Sequence, residues 1–194
     1  MKTNLKFTAM IALMFTAAVG LAKEPKLSLM TEGESNSLIV ELDSQHEKTV
    51  LKIIDDNQNI IFSEKISEAS YAKKFELNEL EDGSYFIELD DSLRTLTYPI
   101  KVENSEVRIL KRKEHTKPVF KLKGAKLFIN LLNLDGKDVK IKVLDSYNRT
   151  LFKEVIENKS VVTKVFNFEK AGKDRYTVAV KDANNTYYEE VVVN

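Results

Sequence analysis

The chain has no cysteine and no tryptophan, and among its 194 residues it carries only two histidines, three prolines and six glycines. Each scarcity excludes a chemistry. Without cysteine there is no disulfide framework, thiolate nucleophile or thiolate metal site, so any core must hold by packing alone. A bacterial lipid anchor, which needs a cysteine at the processed N-terminus, is excluded with them. Six glycines leave no room for a phosphate-cradling loop. The histidines, His46 in a Ser44-Gln45-His46-Glu47 turn and His115 farther on, read as exposed loop residues. Nothing in their spacing supports a zinc site or a general base.

The N-terminus has its own pattern. Lys2 and Lys6 precede an apolar stretch from Phe7 to Leu21, no acid occurs before Glu24, and Gly20-Leu21-Ala22 offers small residues at a peptidase site. This is the layout of a secretory signal peptide, residues 1–22, cut after Ala22. The apolar stretch falls short of the roughly 20 residues needed to span a bilayer as a helix. The expected location is therefore exported, in the periplasm or at the cell surface, with no membrane span after cleavage. Removing residues 1–22 changes the 30 basic and 30 acidic residues to 28 and 30, a net charge of −2. That near-neutral balance offers no electrostatic reason for nucleic acid or an anionic membrane as partner.

What is present is a repeat. Lys52-Ile53-Ile54-Asp55, a polar turn and Ile61-Phe62-Ser63-Glu64 recur 90 residues later as Lys142-Val143-Leu144-Asp145, a turn and Leu151-Phe152-Lys153-Glu154. Tyr85–Leu89 recurs as Tyr176–Val180, and Ile100-Lys101-Val102 as Val191-Val192-Val193, both at an offset of 91. Three collinear matches make the chain a duplication. The expected organisation is a first module over 23–102, a linker over 103–116 and a second module over 117–194. Within the linker, Glu106–Leu110 alternates and suits an added edge strand. A short, charged, glycine-poor connection predicts limited hinge motion.

Within each repeat the dominant period is two, as in Tyr85, Ile87 and Leu89 opposite Glu88 and Asp90. Such alternation, rich in Val, Ile, Phe and Tyr, marks half-buried strands. Seven runs are predicted in the first module: 27–31, 38–43, 50–55, 60–66, 73–77, 85–90 and 96–102. The second module repeats them. Seven short strands at about ten-residue spacing predict an all-β fold, two tandem Ig-like antiparallel sandwiches. The segment 67–80 has helical composition, but its counterpart 158–168 contains Val161-Val162-Thr163 and Val165, so strand is predicted for both. Leu80-x-x-Gly83-x-Tyr85 has the form of a tyrosine corner, in which a tyrosine early in the sixth strand bonds upstream backbone. Pro99, lacking an N–H, predicts an edge position or a bulge for its strand.

These elements resemble the Ig-like modules of secreted Bacteroidetes proteins, and in particular the C-terminal sorting domain of the type IX secretion system. The resemblance rests on Leu51–Phe62 and Leu80–Leu89, and on Ile141–Phe152 and Ala171–Val180 in the second module. The sequence departs from the family at the hairpin glycine, where Gln58-Asn59 and Asn148-Arg149 stand. The resemblance implies an exported Ig-like protein with a sorting or anchoring role.

No catalytic set emerges. Asp55-Asp56, Asp90-Asp91 and Glu189-Glu190 split across opposite strand faces and cannot clamp one bond. Asp55-x-Asn57-x-Asn59 starts like a calcium loop, but Ile60 replaces the glycine and Ile66 the closing acid. Exposed aromatics at Tyr147, on a hairpin tip, and Tyr188, on the last strand, are the candidate binding residues. The expectation is a non-enzymatic protein with no cofactor or metal, acting by surface binding, adhesion or envelope structure. Its partner would be a protein or glycan at the cell envelope. A sorting or anchoring module ranks second and a carbohydrate-active or other hydrolase third.

Overall fold

The computed structural model describes residues 26–32, 35–43, 48–78, 80–104 and 106–194. The signal segment and His46 lie outside these. The first seven strands are β1 (Lys26–Glu32), β2 (Ser35–Asp43), β3 (Thr49–Ile54), β4 (Ile60–Ile66), β5 (Ser70–Glu76), β6 (Gly83–Asp90) and β7 (Arg94–Glu103). Two short strands follow, β8 (Glu106–Ile109) and β9 (Lys113–Thr116). The last seven are β10 (Val119–Lys123), β11 (Lys126–Leu132), β12 (Val139–Leu144), β13 (Thr150–Ile156), β14 (Val161–Asn167), β15 (Asp174–Lys181) and β16 (Thr186–Val193). Every run predicted as strand is one, including β5 and β14 in the segments with a helical alternative.

Each set of seven strands divides three and four. Sheet order is β1-β2-β5 with β4-β3-β6-β7 in the first module, and β10-β11-β14 with β13-β12-β15-β16 in the second. All pairings are antiparallel. The alternation explains why the sheets face one another. Leu38, Val40 and Leu42 of β2 meet Leu51, Ile53, Ile87, Leu89, Leu96 and Ile100 in one buried cluster. Leu127, Ile129 and Leu131 of β11 meet Ile141, Val143, Val178, Val180 and Val191 in a second that shares no residue with the first. Full burial of each such side chain stabilises by about 1.5–3 kcal/mol.

Local devices recur with the strands. Tyr85 Oη donates to the Glu81 carbonyl at 3.0 Å and Tyr176 Oη to the Gly172 carbonyl at 2.9 Å, a tyrosine corner in each module. Along one open edge of the first sandwich, Phe62 of β4 meets Phe75 of β5 edge-on at 5.0 Å. Lys73 Nζ lies 4.6 Å from the Phe62 ring centre and 2.7 Å from Glu64 Oε2. In the second module Phe152 and Phe166 pair at 5.1 Å, and Lys164 sits over Phe152 while donating to Glu154. Because β4 and β5 belong to different sheets, this group ties the two layers together. An edge-to-face aromatic pair is worth about 0.5–1.5 kcal/mol beyond its area.

The β3–β4 and β12–β13 turns are built alike. Asp55 accepts from Asn59 N and Nδ2 at 2.7 and 2.9 Å, while Asp145 accepts from Tyr147 N, Arg149 N and Arg149 Nε at 3.0, 2.8 and 2.6 Å. The fourth turn residue is left-handed in both, Gln58 at φ 68° and Asn148 at φ 59°. Glycine is therefore missing at Gln58, a position whose backbone favours it. Left-handed backbone costs a residue with a Cβ about 1–2 kcal/mol, partly offset by glycine's greater unfolded freedom. Gln58→Gly should raise first-module stability by about 0.5–1 kcal/mol, read as an upward shift of its denaturation midpoint, whereas Asn148→Gly should gain less.

The carboxylates in these devices set an acid limit. The Asn59 side chain and backbone hold Asp55 below its ordinary range, and Lys73 and Tyr71 do the same for Glu64. Burial pushes Asp145 up, but the combined N–H and guanidinium bonds of Arg149, with Tyr147 N–H, bring it down on balance. A carboxyl lowered on folding stabilises the fold above its unfolded value, about 4. That stabilisation is lost as pH falls through the folded value. Stability in denaturant should therefore decline on acidification below about pH 4, and Asp55→Asn and Asp145→Asn should flatten the decline.

The segment read as a linker is drawn into the first module's sheet. Strand β7 pairs at its end with β8 (Lys101 opposite Arg108) and at its start with β9 (Thr95 opposite His115). Pro99 thus sits inside a sheet rather than at its edge. Its carbonyl accepts Leu110 N at 2.8 Å. In an antiparallel strand a residue's N and carbonyl face the same neighbour, so its missing N–H falls in the break between β8 and β9.

Candidate functional site

Where β9 ends, the two modules meet. His115 Nε2 lies 2.9 Å from Tyr187 Oη and 3.1 Å from Asp182 Oδ2, and Nδ1 lies 3.0 Å from Asn184 Nδ2. The Asn184 amide nitrogen faces Nδ1, and Nε2 lies between the Tyr187 phenol and the Asp182 carboxylate. Asp182 is buried, and its Oδ2 has the histidine in ion-pair range without the alignment of a hydrogen bond. Its Oδ1 accepts Asn184 N and Asn185 N at 2.8 and 2.7 Å, closing the β15–β16 hairpin. Asp91 closes the β6–β7 hairpin in the same way, through Leu93 N and Arg94 N.

More bonds cross or brace this joint. Lys117 Nζ reaches Asp90 Oδ1 and the Asp91 carbonyl, each at 2.7 Å. Lys117 N donates to the Leu93 carbonyl, and Thr116 Oγ1 donates to that of Leu132. Burial raises the Tyr187 phenol above its ordinary range, and the charges of Asp182 and of Asp90, from the other module, push the same way. His115, read from sequence as an exposed loop residue, is instead part-buried at this seam. Chemically the arrangement holds two bodies in register.

The two tyrosines singled out from sequence are both on the surface, but in different places. Tyr147 stands on the β12–β13 tip, 78% exposed, with the Arg149 guanidinium 5.3 Å from its ring centre. Tyr188, 64% exposed, lies on the outer face of β16 opposite Ala179. Of the paired acids, Asp90 takes Thr95 and Lys117, Asp91 and Asp55 close turns, and Glu190 lies 3.9 Å from Arg175. Among the described residues no three His, Cys, Asp or Glu side chains are grouped to hold a metal ion.

Sequence reasoning missed the face around Tyr188. On the outside of the β13-β12-β15-β16 sheet, Lys140 stands directly opposite Lys181, and Lys142 directly opposite Lys153. All four are exposed, and none enters an ion pair among the described residues. Adjacent strands lie about 4.8 Å apart and alternate residues about 6.8 Å apart, so four ammonium groups crowd one small field. The Lys142 row continues through Ala179 to Tyr188. A count by module would have found the imbalance. Residues 23–102 hold 9 basic and 17 acidic residues, a net of −8, and residues 117–194 hold 15 and 10, a net of +5. Charge is segregated rather than interspersed, and the whole-chain balance hid it.

With this geometry in view, comparison with known proteins decides the affinity of the first module. Residues 34–108 match the secretion system C-terminal sorting domain family. The sorting-domain match runs from the start of β2 into β8 and includes Leu51–Phe62 and Leu80–Leu89, the first-module half of the elements that carry the resemblance. The match covers well under half of the chain and likens its first module to a secretion-system sorting domain. No curated protein sequence matches the chain. Among solved structures, a biofilm associated protein's BSP domain is similar at 14% identity over 88% of this chain and 29% of that one, with a TM-score of 0.28. A two fibronectin type-III domain segment from chicken tenascin is similar at 9% identity over 87% and 99%, with a TM-score of 0.29. The chain spans less than a third of the first of these proteins.

Proposed function

We propose that this is an exported, non-enzymatic tandem Ig-like protein that works through its outer surfaces as an adhesion or envelope component. One observation carries the reading. His115, Asp182, Asp90, Asp91 and Asp55 are committed to the joint and the turns, while lysines and tyrosines stand exposed on outer faces. The protein lacking residues 1–22 should bind isolated cell-envelope material saturably and leave ester, peptide and glycan substrates intact. Turnover abolished by one carboxylate substitution would overturn the reading.

The sorting-domain match favours a second reading, that the first module directs export or anchoring. A passenger carrying residues 26–116 should then reach the surface of a host with type IX machinery. A passenger retained in the periplasm would eliminate it.

A further inference from the structure

We propose that the outer face of the second module's four-stranded sheet docks an acidic polysaccharide, a chain of sugar rings bearing carboxylates. This rests on the reading that the protein acts through its surfaces, and it names the partner's chemistry.

Like charges placed directly opposite across a sheet are destabilising. The second module carries two such pairs in adjacent rows, Lys140 with Lys181 and Lys142 with Lys153. The first module shows that the fold does not require them. Its counterparts are Val50, Asp90, Lys52 and Ser63, and Lys52 there stands opposite Glu88. In the second module the position of Glu88 is Ala179 and that of Asp90 is Lys181, so the face gains three cations and loses two acids. An anion from outside supplies the missing charge.

The shape of the row narrows the anion. In the register Ala179, itself buried, lies between Lys142 and Tyr188, a small side chain flanked by a lysine and an exposed ring. A tyrosine ring stacks on the apolar face of a sugar, while lysines, compact point charges on flexible stems, meet dispersed carboxylates without the fixed fork an arginine would impose. A polypeptide of aspartate and glutamate alone offers the charge but no ring for Tyr188. The neighbouring acids are otherwise placed: Glu190 on the same face lies 3.9 Å from Arg175. Asp135, Asp138 and Asp182 line one groove together with Lys137, Lys140 and Lys181.

The experiment measures binding of the protein lacking residues 1–22, which keeps every described residue, to polygalacturonate, neutral galactan and polyglutamate at two salt concentrations. Polygalacturonate should bind, weaken with salt and exceed both controls. A variant with Lys140, Lys142, Lys153 and Lys181 all changed to Gln should lose at least tenfold in affinity. Its denaturation midpoint should stay or rise, since the repulsion is relieved. Tyr188→Ala should weaken polygalacturonate about threefold or more and leave polyglutamate unchanged. Unchanged affinity in the lysine variant would overturn the proposal. So would equal binding of polyglutamate with Tyr188 indifferent, which points to an acidic protein. Low-salt self-association abolished in the lysine variant would overturn it too, in favour of the acidic first module of a second copy. If envelope material still binds while polygalacturonate does not, this inference fails and the broader reading stands.

Discussion

Ile141→Ala lowers the stability of the second module by about 3 kcal/mol and leaves the first untouched. Ile141 is fully buried at the middle of β12, and removing its outer carbons costs their transfer energy plus a cavity, about 2–5 kcal/mol for this exchange. In a module of this size each 1 kcal/mol moves the midpoint by about 4–8 °C, so the second transition should fall by roughly 12–24 °C. Leu51, its counterpart in β3 and equally buried, should give the mirror result on Leu51→Ala. Segment-resolved hydrogen exchange separates the two. The asymmetry follows from the absence of shared core residues, because the seam between the modules is polar.

Asp182→Ala has the second largest effect, about 2 kcal/mol, and alone among the hairpin carboxylates it loosens the joint. It strips two backbone N–H groups of their acceptor and leaves His115 without its charged neighbour. A hydrogen bond to a charged acceptor contributes about 1.5–3 kcal/mol. Asp91→Ala strips two N–H groups in the same way but leaves the His115 contacts in place. NMR relaxation should show the modules tumbling independently in the Asp182 variant and as one body in the Asp91 variant. Similar inter-module motion in both would mean that the histidine contacts do not hold the joint.

Much of the fold was legible because its signals are local. Alternation at Tyr85, Ile87 and Leu89 fixes which side of β6 is buried, and the same pattern 91 residues on fixes β15. The strand reading of 67–80 succeeded by comparison with its counterpart, where Val161 and Val165 outweigh the helix-forming Glu and Ala. Pro99 was expected at an edge or a bulge; β8 was foreseen as an added strand but β9 was not, and together they make β7 internal, with the proline at the gap between them. His115 was misread for a similar reason: its partners Asp182, Asn184 and Tyr187 are about 70 residues away, and no spacing rule brings them together. The tyrosines were found as exposed aromatics, which composition and alternation can suggest. The lysine face was not, because Lys140 and Lys181 are far apart in sequence and become a pair only through register. A charge count by module, however, was available from the sequence and points to the same half of the molecule.

The claim on which the rest depends is that each sandwich is complete in itself, and residues 117–194 expressed alone test it most directly. The account predicts a dispersed β-type NMR spectrum with slowly exchanging amides at Ile141, Val178 and Val180. A collapsed spectrum with fast exchange throughout, restored only by the presence of the first module, would contradict it.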